Sequence, residues 1–244
     1  MTEASLTNVL VSPQESGDLD GWKAGVFEEF HARMTDKDNE FPCIFGVEAV
    51  TRGTLRYGFV SDEAGDQATQ LSRILRQFTE VCHDLGKRTS LVCFFESWNA
   101  DSTHAGYWRR FWQLLGEVSE QDSAPWPPDI SQSLDDPQFE FAFNGQPMFV
   151  VVNTELHEHR LSRRLSRVAV TFQPRFVFDD IAEGTPRGDA ARAIIRGRFA
   201  SYDTAPLPEN LGSFGDVSNR EWNQYYLDDG TSADIPASCP FDRF

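Results

Sequence analysis

The sequence predicts an α+β fold, a mostly antiparallel sheet with packed helices in a single domain. Three observations predict it. Helical and strand periodicities of the apolar residues alternate along the chain. An Asn144-Gly145 pair between two β-rich runs requires an antiparallel hairpin. The 244 residues carry no internal repeat and suit one folded unit better than two.

The elements follow in order. Residues 1–20 are rich in Ser, Thr, Asp and Glu and read as a mobile tail. Trp22, Val26, Phe27, Phe30 and Met34 recur at helical spacing. Residues 41–46 and 55–60 read as short strands separated by a Gly-containing turn. Over 66–85, Leu71, Ile74, Leu75, Phe78 and Cys82 mark an amphipathic helix that Gly86 stops. The apolar run 90–96 is a buried strand. Residues 105–118 form a helix with Tyr107, Trp108, Phe111, Trp112 and Leu115 inward. Pro125, Pro127, Pro128 and Pro137 make 122–138 a loop. Strands 139–143 and 148–152 flank the Asn-Gly turn, and alternation sets Glu140 on the face opposite Phe139, Phe141 and Phe143. A short basic helix over 156–166, a strand over 168–172 and a helix over 186–200 follow. Beyond Tyr202 the chain is polar and rich in Gly, Pro and Asp. The expected map is a tail at 1–20, the α+β domain at 21–202 and an extended segment at 203–244 packed on the same domain.

Composition narrows the function. With 38 acidic and 22 basic residues the net charge is −16, which disfavours phosphate backbones and favours cationic ligands. No apolar run approaches the roughly 20 residues of a membrane span, and the N-terminus lacks the pattern of a signal peptide, so a cytoplasmic protein is expected. Twenty Phe and 6 Trp can fill a core or wall a flat apolar cavity. No GxGxxG, P-loop, GxSxG, CxxC or HExxH occurs, which leaves no evident nicotinamide, flavin, nucleotide, hydrolase or structural zinc site.

Some side chains could still carry chemistry. His31, His83 and His104 sit near helix ends. His157 follows a buried strand and opens a run containing Arg160, Arg163 and Arg164; it could ligate a metal while the arginines hold anions, or stand on a solvated basic helix. Among the four cysteines, Cys82 and Cys93 read as small buried hydrophobes, whereas Cys43 and Cys239 are candidate thiol ligands. Glu96 and Glu140 lie within apolar strands, where a charge needs either an internal arginine or a cationic substrate.

Several fragments together resemble one family. They are Phe41-Pro-Cys43, Leu55-Arg-Tyr-Gly-Phe59, Leu91-Val-Cys-Phe-Phe-Glu96 and Trp126-Pro-Pro-Asp-Ile130, then Thr154-x-x-His157-x-x-Arg160-x-Ser162-Arg163, Phe172-Gln-Pro-Arg175, Glu221-Trp-x-Gln-Tyr225 and Cys239-Pro-Phe241. The chain resembles the YqcI/YcgG family over about residues 22–241, departing from its pattern at Thr154-Glu-Leu-His157, where Thr-Pro-Ala-His is expected. The resemblance implies a haem b monooxygenase that N-hydroxylates a guanidino group, foremost L-arginine to Nω-hydroxy-L-arginine, in natural-product biosynthesis. It further implies His157 as axial ligand, with Arg160, Arg163, Arg175 or Arg56 on the propionates and Cys43 as the reserve ligand. Glu96 or Glu140 would meet the substrate guanidinium. Dioxygen or peroxide would be the oxidant, with electrons from an external donor such as a ferredoxin and its reductase. No nucleic-acid or membrane partner is implied, and a homodimer is an open alternative to a monomer. Rival readings are a haem oxygenase acting on another amine and a non-catalytic haem sensor or carrier.

Overall fold

A computed structural model describes residues 9–181, 184–208 and 211–230. Five helices, α1 (Gly21–Thr35), α2 (Ile44–Arg52), α3 (Gln67–Val81), α4 (His104–Glu120) and α5 (Pro186–Tyr202), surround five strands, β1 (Arg56–Val60), β2 (Leu91–Phe95), β3 (Phe141–Phe143), β4 (Gln146–Asn153) and β5 (Ala169–Pro174). The strands form one sheet in the order β1-β2-β5-β4-β3. Only β1 and β2, joined through α3, run parallel; the other three pairs are antiparallel. The α+β class is as expected.

The local signals explain most elements. Asp66, Thr103 and Thr185 cap α3, α4 and α5 by accepting a backbone N–H three residues on. Asn144 and Gly145 take φ of 50° and 73°, the left-handed pair that a two-residue hairpin turn needs.

Strand alternation then divides the core. On β2, Leu91, Cys93 and Phe95 face α3 and α4, while Val92 and Phe94 face α1 and α2. On β4, Met148, Val150 and Val152 join the α3/α4 side. Their alternates Phe149, Val151 and Asn153 point the other way, into a cavity.

Three expectations are corrected. Residues 41–46 are not a strand: Cys43 caps α2, with Sγ accepting from the Gly46 N–H at 3.4 Å, and Gly53 ends the helix in left-handed conformation at φ 69°. Phe45, Ala49 and Val50 form the buried stripe of that helix. The basic stretch 156–166 is a loop with one 3₁₀ turn, Leu161–Arg163, because its backbone and side chains are bound by distant acids. Asp229 alone accepts the N–H groups of Glu158, His159 and Arg160. The N-terminal tail is docked in part: Val11 bridges Tyr57, and Leu10 is buried. Residues 1–8 and Cys239-Pro-Phe241 lie outside the described residues.

The segment after α5 returns across the sheet. Trp222, Tyr225, Tyr226 and Leu227 are buried, and the Val152 N–H donates to the Tyr225 carbonyl at 2.9 Å. No described helix is long and apolar enough to cross a membrane.

Candidate functional site

A cavity of ≈ 700 Å³ lies on the sheet face away from α3 and α4. Val92, Phe149, Val151, Thr171 and Gln173 form its floor. α1 contributes Phe30 and Met34, the start of α2 contributes Cys43, Phe45 and Gly46, and α5 contributes Arg192, Ile195, Arg196 and Phe199. Phe214, Glu221 and Gln224 close the side. The wall is thus rich in flat rings and interrupted by a few polar groups, the composition of a ligand pocket.

Two charged residues of the wall, Arg175 and Glu221, belong to a triad with Glu140, which lies behind them. Glu140, immediately before β3, is fully buried, and Arg175 donates Nε to its Oε2 at 2.7 Å and Nη2 to its Oε1. The same Nη2 also donates to Glu221 Oε2. Phe214 and Phe178 stack on the guanidinium, their ring centres 4.1 and 5.4 Å from it. Burial pushes the Glu140 carboxyl up, Arg175 pulls it down and Glu221 pushes it up again, leaving it above the usual carboxylate range. Burial likewise raises Glu221 against the pull of Arg175. Burial opposes the charge of Arg175, but the two carboxylates outweigh it and hold the guanidinium protonated.

Arg163 and Cys43 also line the cavity. Arg163 is buried, its Nε has no hydrogen-bond partner, and Nη2 reaches only the Gln224 carbonyl at 3.5 Å. Burial lowers its pKa to about 10, with Arg160 adding to the drop and Asp203 and Cys43 opposing it. The Cys43 thiol is raised by burial, against the Gly46 N–H and the charge of Arg163.

The remaining expected residues lie elsewhere. His157 is fully buried and off the cavity wall. Its Nε2 faces the Leu227 carbonyl at 2.9 Å and must donate, so Nδ1 accepts from the Thr154 hydroxyl at 2.9 Å. Neither nitrogen has a lone pair free for iron. Burial, foremost, lowers its pKa to about 4. Arg160 is spent on the Asp228 and Pro206 carbonyls and on Asp203. Arg56 donates to the Gly53 and Leu55 carbonyls, and Glu96 accepts the Asp62 N–H at the end of β2. Neither Arg56 nor Glu96 lines the cavity. Of the expected site residues, the structure therefore brings Cys43, Arg163 and Arg175 to the cavity, with Glu140 behind Arg175. Sequence reasoning gave no role to Glu221, Arg192, Arg196 and Phe214. Glu221 stood inside a quoted motif, and its Trp-x-Gln-Tyr context was the available signal.

Among the described residues no group of three or more His, Cys, Asp or Glu could hold a metal ion. The lining suits a planar apolar macrocycle bearing carboxylates: it offers several aromatic rings, a thiol on the wall and a buried guanidinium with an unmet donor.

The protein YqcI of Bacillus subtilis (strain 168) is 36% identical over 245 residues, covering 99% of this chain and 95% of the relative. YcgG of the same organism is 36% identical over 228 residues, covering 92% and 89%. A protein of Streptomyces lavendulae named "Putative N(omega)-hydroxy-L-arginine synthase DcsA" is 32% identical over 251 residues, covering 99% and 92%. No solved structure matches the chain significantly. With its residues 30–242 matching the family as a whole, the chain belongs to the YqcI/YcgG family.

Proposed function

We propose that this protein is a haem-dependent enzyme that N-hydroxylates the guanidino group of L-arginine. The observation that carries the reading is the aromatic cavity, whose wall combines a thiol, a buried guanidinium with an unpartnered Nε and the Arg175–Glu221 pair, with Glu140 behind it. The printed name of the Streptomyces relative supports the choice of arginine. Either dioxygen with two electrons and two protons from an external donor, or one peroxide, balances the insertion of one oxygen with release of water.

Haem b, when bound, supplies the oxygen activation that no side chain can provide. Cys43 offers it a sulfur donor in place of His157, and the Gly46 N–H already points at that sulfur. Phe30, Phe41, Phe45, Phe149 and Phe199 give apolar surface to stack on, while Arg192 and Arg196 stand on α5 toward the rim, where propionates would meet guanidinium. The chain's own task is to bind and orient the guanidino nitrogen and keep water out. The triad, two acids on one arginine, makes the wall favourable to a cationic side chain.

The test is the absorption spectrum of protein purified from haem-supplemented cells, for wild type, Cys43→Ser and His157→Ala. The expected result is a Soret band that moves in Cys43→Ser and persists in His157→Ala, with L-arginine gaining one oxygen on incubation with peroxide or a donor system. A wild type that stays colourless through a haem titration overturns the cofactor. Colour without product would make the protein a haem carrier.

A further inference from the structure

Two charges on the cavity wall lack a full complement. Arg163 is 7% exposed, its Nε is unpartnered, and among the described residues the one hydrogen bond of its side chain is the long one to the Gln224 carbonyl. No ion pair holds it among the described residues, although a buried cation is costly without a counter-charge. Glu140 and Glu221, by contrast, share the single side chain of Arg175. Arg175 gives two donors to Glu140 and one to Glu221, so Glu221 keeps acceptor capacity at the cavity wall. Glu221 opens a 3₁₀ turn and Gln224, the contact of Arg163, ends it. Glu221 and the residue that Arg163 touches therefore lie on one short turn, and both Glu221 and Arg163 line the cavity.

We propose that Arg163 and Glu221 read the two ends of an intact guanidino amino acid, Arg163 taking its α-carboxylate and Glu221 its guanidinium. The inference rests on the arginine-hydroxylating reading above and deepens it. It makes the substrate class an α-amino acid with a planar cation, excluding decarboxylated amines and neutral ureas. A haem propionate is the other source of a carboxylate for Arg163, and the test separates the two.

L-Arginine, agmatine (no carboxylate) and L-citrulline (no cation) are titrated calorimetrically into haem-loaded wild type, Arg163→Gln, Arg163→Lys and Glu221→Gln, with haem retention read from the Soret band. A charge-assisted pair corresponds to about 10–100-fold in affinity, so wild type should prefer L-arginine to either analogue by that factor. Arg163→Gln should erase the preference over agmatine and keep the preference over citrulline; Glu221→Gln should do the reverse. Arg163→Lys, which keeps the charge without the planar fork, should retain part of the preference and serves if the glutamine variant fails to fold. Unchanged preferences in the variants overturn the assignment alone. Lost haem with preferences intact also overturns it and gives Arg163 to a propionate. A wild type that binds no L-arginine overturns both this inference and the reading it rests on.

Discussion

The two faces of the sheet are built from the same strands and do opposite work. Toward α3 and α4 lie Leu91, Cys93, Phe95, Val150 and Phe172, all fully buried and packed against Phe78, Phe111 and Leu115. Toward α2 and α5 the alternate residues Val92, Phe149, Val151, Thr171 and Gln173 floor a cavity of ≈ 700 Å³. The packed face is filled by side chains, and the hollow face leaves a cavity between them. One period-two pattern thus serves two purposes, because a strand presents independent residues to its two sides.

The contrast can be broken most severely from the packed side. Phe172→Ala would open a cavity in close-packed surroundings, and the expected loss is about 3–5 kcal/mol. Denaturant unfolding measures it, and the loss should be insensitive to pH. A cost under about 1 kcal/mol would mean that the α3/α4 face is not the stabilising one.

On the hollow side the comparable loss is electrostatic. Arg175→Met leaves Glu140 and Glu221 buried without their cation, at about 3–5 kcal/mol near neutral pH. Both carboxyls already have raised folded-state pKa values from burial, and the variant raises them further. The folded state then takes up protons more readily than the unfolded one, so the penalty should shrink as pH falls. A penalty that stays flat with pH would show that the triad is packing alone.

A smaller effect comes from the segment that closes the hollow side. His157 is held neutral against the Leu227 carbonyl, with its pKa depressed to about 4, by burial above all and by His104 in addition. Between about 6.5 and about 4 the unfolded state binds the proton and the folded state resists it, so stability present at neutral pH drains away with acid, by about 3 kcal/mol. His157→Gln should flatten that part of the pH–stability curve relative to wild type. Identical slopes would remove His157 as the acid-sensitive latch.

How much of this was legible follows from the range of each signal. The hairpin was, because Asn144-Gly145 sets its turn within two residues. The need of Glu140 for a cation was legible too, but the sequence left an internal arginine and a cationic substrate both open, and only the fold shows Arg175 there. Residues 41–46 misled because their aromatic and branched composition is that of a strand, while the helix start rests on a cysteine cap. The basic run 156–166 looked helical by composition, yet Asp203, Asp228 and Asp229 draw its groups into a loop from far along the chain. His157, read as a metal ligand or a residue of a solvated basic helix, is instead buried, bonded to Thr154 and to the Leu227 carbonyl of the C-terminal segment. The cavity itself was not legible, because a count of Phe residues is the same whether the rings fill a core or wall a void.

The smallest effect is the sharpest test of the contrast, because it sits one residue from the largest. Thr171 neighbours Phe172 on β5 and points to the cavity floor. Thr171→Val preserves the β-branched shape and removes a hydroxyl, and with a void above it the stability should change by less than about 0.5 kcal/mol. Haem titration and L-arginine titration should nevertheless respond, since the substitution alters the floor that a ligand would meet. A loss above about 2 kcal/mol would mean that the hydroxyl is part of a packed interior, and the distinction between the two faces would fail at its centre.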